Sequence, residues 1–357
     1  MAYPHLKLRT LLHSLASCLI ITGVSASVFA NDLELKAHGS SKRQYKLIFD
    51  SEEHTQSRNW LSKNFSSKDA LTLSLNASQP LPPSYTLANL PPVYDQGNLG
   101  SCTANALAAA MQYNRRKQKL EDYTPSRLMI YYLERSYERT INQDSGASLA
   151  DGIRALSQYG ACPESMWPYN DGPTQFKRNP TSACYTAAKQ NMDLDNLALA
   201  GITQTLNNIK STIAQGIPIV FGTKVYDSFE SDTVARTGNV PIPNTRKERL
   251  LGGHALMIAG YDDSKSQFFV RNSWGTDWGV KGYAWFPYDY ITNKSLCSDF
   301  WKIEKVGSRT SQSQIIPRSG NRLGNPLYTA GMYNPYYTDM TVNLWGTPLF
   351  NSILKYY

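Results

Sequence analysis

Apolar residues recur every three or four positions in three early stretches, and this spacing predicts helices over residues 104–118, 126–139 and 148–159. In the first, Ala104, Leu107, Ala108 and Met111 share one face, directly after a turn containing Gly97, Asn98 and Gly100. From Ile217 onward the pattern becomes that of strands. Pro218 to Gly222 reads as a buried strand, and Leu251 to Asp263 as another that begins at His254 and ends in a polar turn. Phe268 to Gly275 reads as a third, folding back on the second as a hairpin. Helices first and strands afterwards predict an α+β chain with segregated halves.

Upstream of these, Leu33, Leu35 and Ala37 alternate with polar residues, and so do Tyr45, Leu47 and Phe49. The two runs flank Gly39-Ser40-Ser41, which is a hairpin pattern. Asp50 with Glu53 has the form of a capping box, predicting a helix through Trp60 and Leu61 to about Asn64. An extended, proline-containing stretch follows from Gln79 to Pro92. Residues 1–30 read as a secretory signal peptide: Lys7 and Arg9 form a basic start, Leu11 to Val24 an apolar run, and Val28-Phe29-Ala30 a cleavage site. His13, Ser14 and Thr22 interrupt that run, against a membrane anchor. Leu15-Ala16-Ser17-Cys18 has the form of a lipoprotein box, yet the apolar run continues past Cys18. After Val306, Ser, Gly, Asn, Pro and Tyr dominate without periodicity, either as a surface wrap or as a tail for secretion or partner contact.

Composition narrows the class. The chain has 357 residues, 41% of them hydrophobic and 18% charged, which suffices for a full-sized core and is too apolar for disorder. The net charge of +8 is scattered, with no basic stripe and no nucleic-acid-binding motif, so no nucleic acid partner is expected. No cysteine spacing resembles a zinc site, and neither a metal nor an organic cofactor is implied.

The chemistry is written in three separated segments. Cys102 opens the first predicted helix, where unpaired amides and the positive end of the macrodipole favour a thiolate. His254 starts one predicted strand and Asn272 ends its hairpin partner, so both come to one edge of the sheet. A thiol needs a base, and that base needs a group to fix its ring and tautomer. His254 lies 152 residues and Asn272 170 residues beyond Cys102. With Gln96-Gly97 before Ser101-Cys102, Gly253-His254-Ala255, Asn272-Ser273-Trp274-Gly275, Trp278-Gly279 and Gly282-Tyr283, the chain resembles the papain-like cysteine peptidases from about Pro91 to Val306.

That resemblance implies a two-lobed fold, a helical lobe and a barrel-like antiparallel β lobe, with an N-terminal hairpin-helix prosegment. It divides the chain into a signal peptide (1–30), a prosegment (31–88), a peptidase domain (89–307) and a C-terminal extension (308–357). It implies Cys102 as nucleophile, ion-paired with protonated His254, and Asn272 as orienter of His254. Trp274 would cover that hydrogen bond, and Gln96 would donate to the oxyanion beside the Cys102 amide. Gly146, Ala147, Gly253, Tyr226 and Phe229 would contact substrate, the two aromatics being equally readable as core. Thr103 stands where the family commonly has an aromatic residue, and the cysteine usual two positions before Ser101 is replaced by Leu99. With Cys102 free, at most one disulfide remains among Cys162, Cys184 and Cys297, Cys162 with Cys184 being preferred.

The implied protein is a monomeric, exported cysteine endopeptidase, extracellular or periplasmic, acting on protein or peptide substrates through an acyl-enzyme thioester. Residues 31–88 would be either a removable inhibitor, with the stretch Gln79 to Pro92 along the cleft, or a permanent addition. Rival readings are a cell-wall peptide hydrolase or transamidase, and a non-catalytic binding module.

Overall fold

The computed structural model describes residues 45–49, 52–64, 80–191 and 198–306. The signal peptide, the first arm of the expected N-terminal hairpin and the C-terminal extension lie outside the described residues. Helix α1 (Glu52–Asn64) occupies the position predicted for it, and strand β1 (Ser84–Thr86) follows. The helical half is α2 (Cys102–Lys117), α3 (Arg127–Tyr137) and α4 (Leu149–Tyr159), each within two residues of its expected ends. Ser126 and Ser148 cap α3 and α4 by accepting hydrogen bonds from the amides of Met129 and Asp151.

Next come α5 (Ser182–Asn191), β2 (Ala198–Gly201), α6 (Leu206–Ala214), β3 (Ile219–Tyr226) and α7 (Asp232–Thr237). The chain then forms β4 (Leu250–Asp262), β5 (Gln267–Arg271), β6 (Tyr283–Pro287), α8 (Tyr288–Thr292) and β7 (Cys297–Lys305). The strands run β2-β7-β3-β4-β5-β6, all neighbours antiparallel, with β1 added to the far end of β4.

The α+β class holds, but the sheet is not the barrel the resemblance implied. Its first and last strands, β2 and β6, do not meet. The outer edge of β6 is already satisfied by the turn after α7: Trp285 N–H donates to Gly238 C=O at 2.7 Å and Val240 N–H to Trp285 C=O at 3.0 Å. An edge whose hydrogen bonds are spent on a covering loop has none left to close a cylinder.

The sheet is buried on both faces, which explains why its strands read as apolar runs. Val220, Ala255, Met257 and Ala259 join the core beneath α2, while Phe221, Leu256, Ile258 and Val270 belong to a second core on the opposite face. The four cysteines among the described residues, Cys102, Cys162, Cys184 and Cys297, are buried and unbridged, so the preferred Cys162–Cys184 disulfide is absent. Cys162 and Cys184 nonetheless lie together in a small satellite core with Met129 and Ala188.

Thr103, unusual after the nucleophile position, has a partner. Its hydroxyl donates to the buried carboxyl of Glu134 on α3 at 2.8 Å. Burial, with some help from Asp151, holds Glu134 well above the usual carboxylate range, against the Thr103 hydrogen bond and Arg135. Unfolding returns that carboxyl to its ordinary value, so its contribution is complete at low pH and is lost as pH rises toward the folded value. Glu134→Gln keeps the shape without the proton. Urea midpoints measured from pH 5 to 8 should therefore fall more steeply for the wild type than for Glu134→Gln; parallel slopes would contradict this assignment.

Candidate active site

Cys102 is the first residue of α2, and the backbone N–H groups of Ala255, Thr103 and Cys102 itself lie near enough to its sulfur to favour the thiolate. The Ala255 contact puts the thiol against β4, one residue from His254. Burial nevertheless dominates and pushes the thiol up to about 12, with the Glu134 carboxyl adding in the same direction. The thiolate expected from the helix terminus is thus opposed, in this covered state, by loss of water.

His254 is buried on β4, and its Nε2 lies 2.9 Å from Asn272 Oδ1 at the end of β5. The hairpin read from the sequence is real: β4 and β5 pair antiparallel, with Met257 opposite Arg271. Trp274 stacks on the imidazole, ring centroids 4.9 Å apart. Phe229 packs edge-on behind Trp274 at 5.4 Å and also touches Trp278 and Phe286, so it belongs to the core. Tyr226, at the end of β3, is buried in the same cluster. Both aromatics thus pack in the core, the alternative the sequence had left open for them.

Gln96 reaches the site through backbone pairing. Its N–H donates to Ser273 C=O at 2.9 Å, and Gly275 N–H donates to Tyr94 C=O at 3.0 Å. The side chain is buried, with Nε2 donating to Leu99 C=O at 2.9 Å and Oε1 accepting from Ser273 Oγ at 2.7 Å. Ser273 has no role that the sequence motif implies. Its neighbours Asn272 and Trp274 supplied the recognisable chemistry, and a serine between them carries no pattern of its own.

Gly146 and Ala147 face Gly253 across a groove, and the space between them is taken by the chain's own residues 45–49. Leu47 N–H donates to Gly253 C=O at 3.0 Å, Ile48 N–H to Ala147 C=O at 2.9 Å, and Ala147 N–H to Lys46 C=O at 3.2 Å. Lys46 pairs with Gly253 and Leu47 with Ala147, both in parallel sense. Glycine is required here: Gly146 has φ +81° and a Cβ on it would overlap Lys46 C=O, while one on Gly253 would lie 2.6 Å from Leu47 C=O. Tyr45 meets His254 and Trp274 edge-on at 5.9 and 5.6 Å. Lys46 lies over Gly100, two residues before Cys102, and pairs with Asp144 at 2.8 Å.

This differs from the expected course of the N-terminal region. The stretch assigned to the cleft, Gln79 to Pro92, runs elsewhere, its residues Ser84–Thr86 pairing with Asp262–Gly260 of the sheet. Tyr45 to Phe49, read as the second arm of a hairpin whose first arm lies outside the described residues, bridges the two groove walls. An alternating strand pattern states that a partner exists without naming it.

A thiol, an imidazole fixed by an amide and a groove lined with backbone donors and acceptors define a site for nucleophilic attack on peptides. The family model for papain family cysteine proteases matches residues 84–298. Xylellain, a cysteine protease from Xylella fastidiosa, is 36% identical, with 74% of this chain and 99% of that one aligned at a TM-score of 0.63. An uncharacterised peptidase C1-like protein of Acanthamoeba polyphaga mimivirus is 40% identical over 218 residues, 59% of this chain and 69% of that protein. A cathepsin B-like protein of Giardia intestinalis is 29% identical over 208 residues, 54% of this chain and 63% of that protein. The chain belongs to the papain family of cysteine peptidases.

Proposed function

We propose that this peptidase is exported as a zymogen and cleaves polypeptides internally through Cys102, His254, Asn272 and Gln96. Asn272 engages His254 Nε2, so proton exchange with the thiol falls to Nδ1. Cys102 attacks the peptide carbonyl and the N–H donors of Gln96 and Cys102 receive the oxyanion. His254 gives its proton to the leaving amine, and water then hydrolyses the thioester. Gly146, Ala147 and Gly253 hold the substrate main chain. The observation that carries this reading is the segment 45–49, which is hydrogen-bonded along the groove between Ala147 and Gly253 as a bound peptide would be.

The same segment supports an inhibitory role for residues 31–83, with activation by cleavage upstream of β1. Export rests on residues 1–30. No helix among the described residues is long and apolar enough to cross a membrane. A permanent structural role has its own support, because α1 docks on α4 through the buried Leu61 and through Ser57 Oγ, which donates to Asp151 at 2.5 Å.

The secreted protein, characterised by N-terminal sequencing and treated with an epoxide-type thiol inhibitor, tests the assignment. Labelling and casein hydrolysis are expected in the processed wild type and absent in Cys102→Ala. Labelling that persists in Cys102→Ala, or none in the wild type, would reject it. Activity on purified peptidoglycan with none on casein would favour a cell-wall hydrolase instead.

A further inference from the structure

Behind the loop that carries Gln96 and leads into Cys102 lies a chain of buried and half-buried polar groups that the sequence did not announce. Arg127, at the start of α3, is bound through Nε and Nη2 to Glu164 at 2.9 and 2.8 Å. Its Nη1 donates to Asp95 C=O and to Asn105 Oδ1, each at 3.0 Å. Asn105 Nδ2 donates to Ser101 Oγ at 3.1 Å and to Ser101 C=O at 2.9 Å. Ser101 Oγ and Tyr169 OH are 2.7 Å apart, and Tyr169 OH donates to Gln96 C=O at 2.7 Å.

The donor directions are therefore fixed. Tyr169 has one hydroxyl hydrogen and gives it to Gln96, so Ser101 must donate to Tyr169 and accept from Asn105. The sequence Arg127 to Asn105 to Ser101 to Tyr169 to Gln96 runs one way, from a guanidinium to a backbone carbonyl, and aligned bonds of this kind polarise one another. Burial raises the Tyr169 phenol, which keeps it a donor. The Arg127 guanidinium also lies 3.9 Å from the centre of the Tyr169 ring, locking the tyrosine laterally.

We infer that Tyr169 and Arg127 are positioning residues of this peptidase, setting both oxyanion donors, the Gln96 amide and the Cys102 N–H, from behind. The loop Asp95–Ser101 is gripped at both ends: Arg127 holds Asp95, and Tyr169 holds Gln96 and Ser101. Ser273 fixes the Gln96 side chain from the opposite side. Oxyanion stabilisation requires donors placed where the charge develops, and a small displacement forfeits much of it. The inference rests on the oxyanion role proposed above for Gln96.

The test uses the processed enzyme and three readouts: turnover of a fluorogenic peptide, inhibition by the peptide aldehyde leupeptin, and alkylation by iodoacetamide as a function of pH. The aldehyde forms a tetrahedral adduct that needs the oxyanion donors, whereas alkylation needs only the thiolate. Tyr169→Phe should lower kcat and weaken leupeptin by about tenfold each, part of the ~10²-fold or larger effect of losing a donor outright. KM, the alkylation rate and its pH profile should stay within twofold. Arg127→Lys, which keeps the charge and loses the fork, should show the same pattern and serves if the first variant folds poorly. Unchanged kcat and leupeptin affinity, or equal loss of alkylation, overturns the inference. If Gln96→Ala lowers both while Tyr169→Phe and Arg127→Lys do not, the inference alone fails; if Gln96→Ala also leaves both unchanged, the oxyanion assignment fails with it.

Discussion

Cutting the chain between residues 65 and 79 at an engineered site, and washing away the upstream fragment, is expected to raise alkylation of Cys102 at neutral pH by at least about 10³-fold. A thiol pushed up to about 12 is ionised to roughly one part in 10⁵ at pH 7. The rise comes first from burial, and residues 45–49 pack beside the thiol's neighbours, with Lys46 over Gly100 and Tyr45 against His254. Once water reaches the sulfur, the three backbone N–H groups and a protonated His254 act on it in the opposite direction. Catalytic thiols in such surroundings titrate below about 7.5. The sign follows directly. In the uncut chain, reactivity should climb about tenfold per pH unit toward 12. In the cut enzyme it should be flat above its lower midpoint. Iodoacetamide kinetics from pH 5 to 10, paired with peptide hydrolysis, decide the matter, and coincident profiles before and after cutting would refute autoinhibition by this segment.

Replacing His254 by alanine is the second large effect. Removal of the base from a nucleophile–base pair costs roughly 10⁴-fold or more in turnover, because nucleophile and base act as a unit. For this chain the loss should appear in kcat with little change in KM, since the backbone contacts of Ala147 and Gly253 do not involve the ring. Trp274, stacked on the imidazole at 4.9 Å, would be left facing a cavity, so melting should accompany the assay. A folded His254→Ala that retains more than a hundredth of wild-type kcat would remove His254 from the mechanism.

The candidate site was legible because its chemistry restricts residue choice. A cysteine opening a helix, a histidine on a strand (the fifth residue of β4, not its first as expected) and an asparagine just past the partner strand have few other reasons to occur in that order. The three main helices were legible through period, since α2, α3 and α4 each bury a broad apolar face. Three things were not. The open sheet depends on Gly238 to Val240 spending the hydrogen bonds of β6, and nothing in that turn's composition states what it covers. The occupant of the groove depends on partner choice: Tyr45, Leu47 and Phe49 alternate as any half-buried strand does, and the pattern suits a hairpin arm and a groove-filling segment equally. Tyr169 and Arg127 were invisible for a third reason, namely that a positioning group acts through backbone carbonyls, which every sequence possesses.

Helix α1 is bonded to both halves of the fold at once. Ser57 bonds to Asp151 in the helical half, and Arg58 is ion-paired with Asp299 on β7 in the sheet half. The uncut molecule is accordingly a braced frame, its two halves tied by α1 as a strut in addition to the bridging residues 45–49. On the proposed maturation that strut departs, and the breadth of polypeptides admitted becomes a question of mechanical compliance as much as of pocket chemistry.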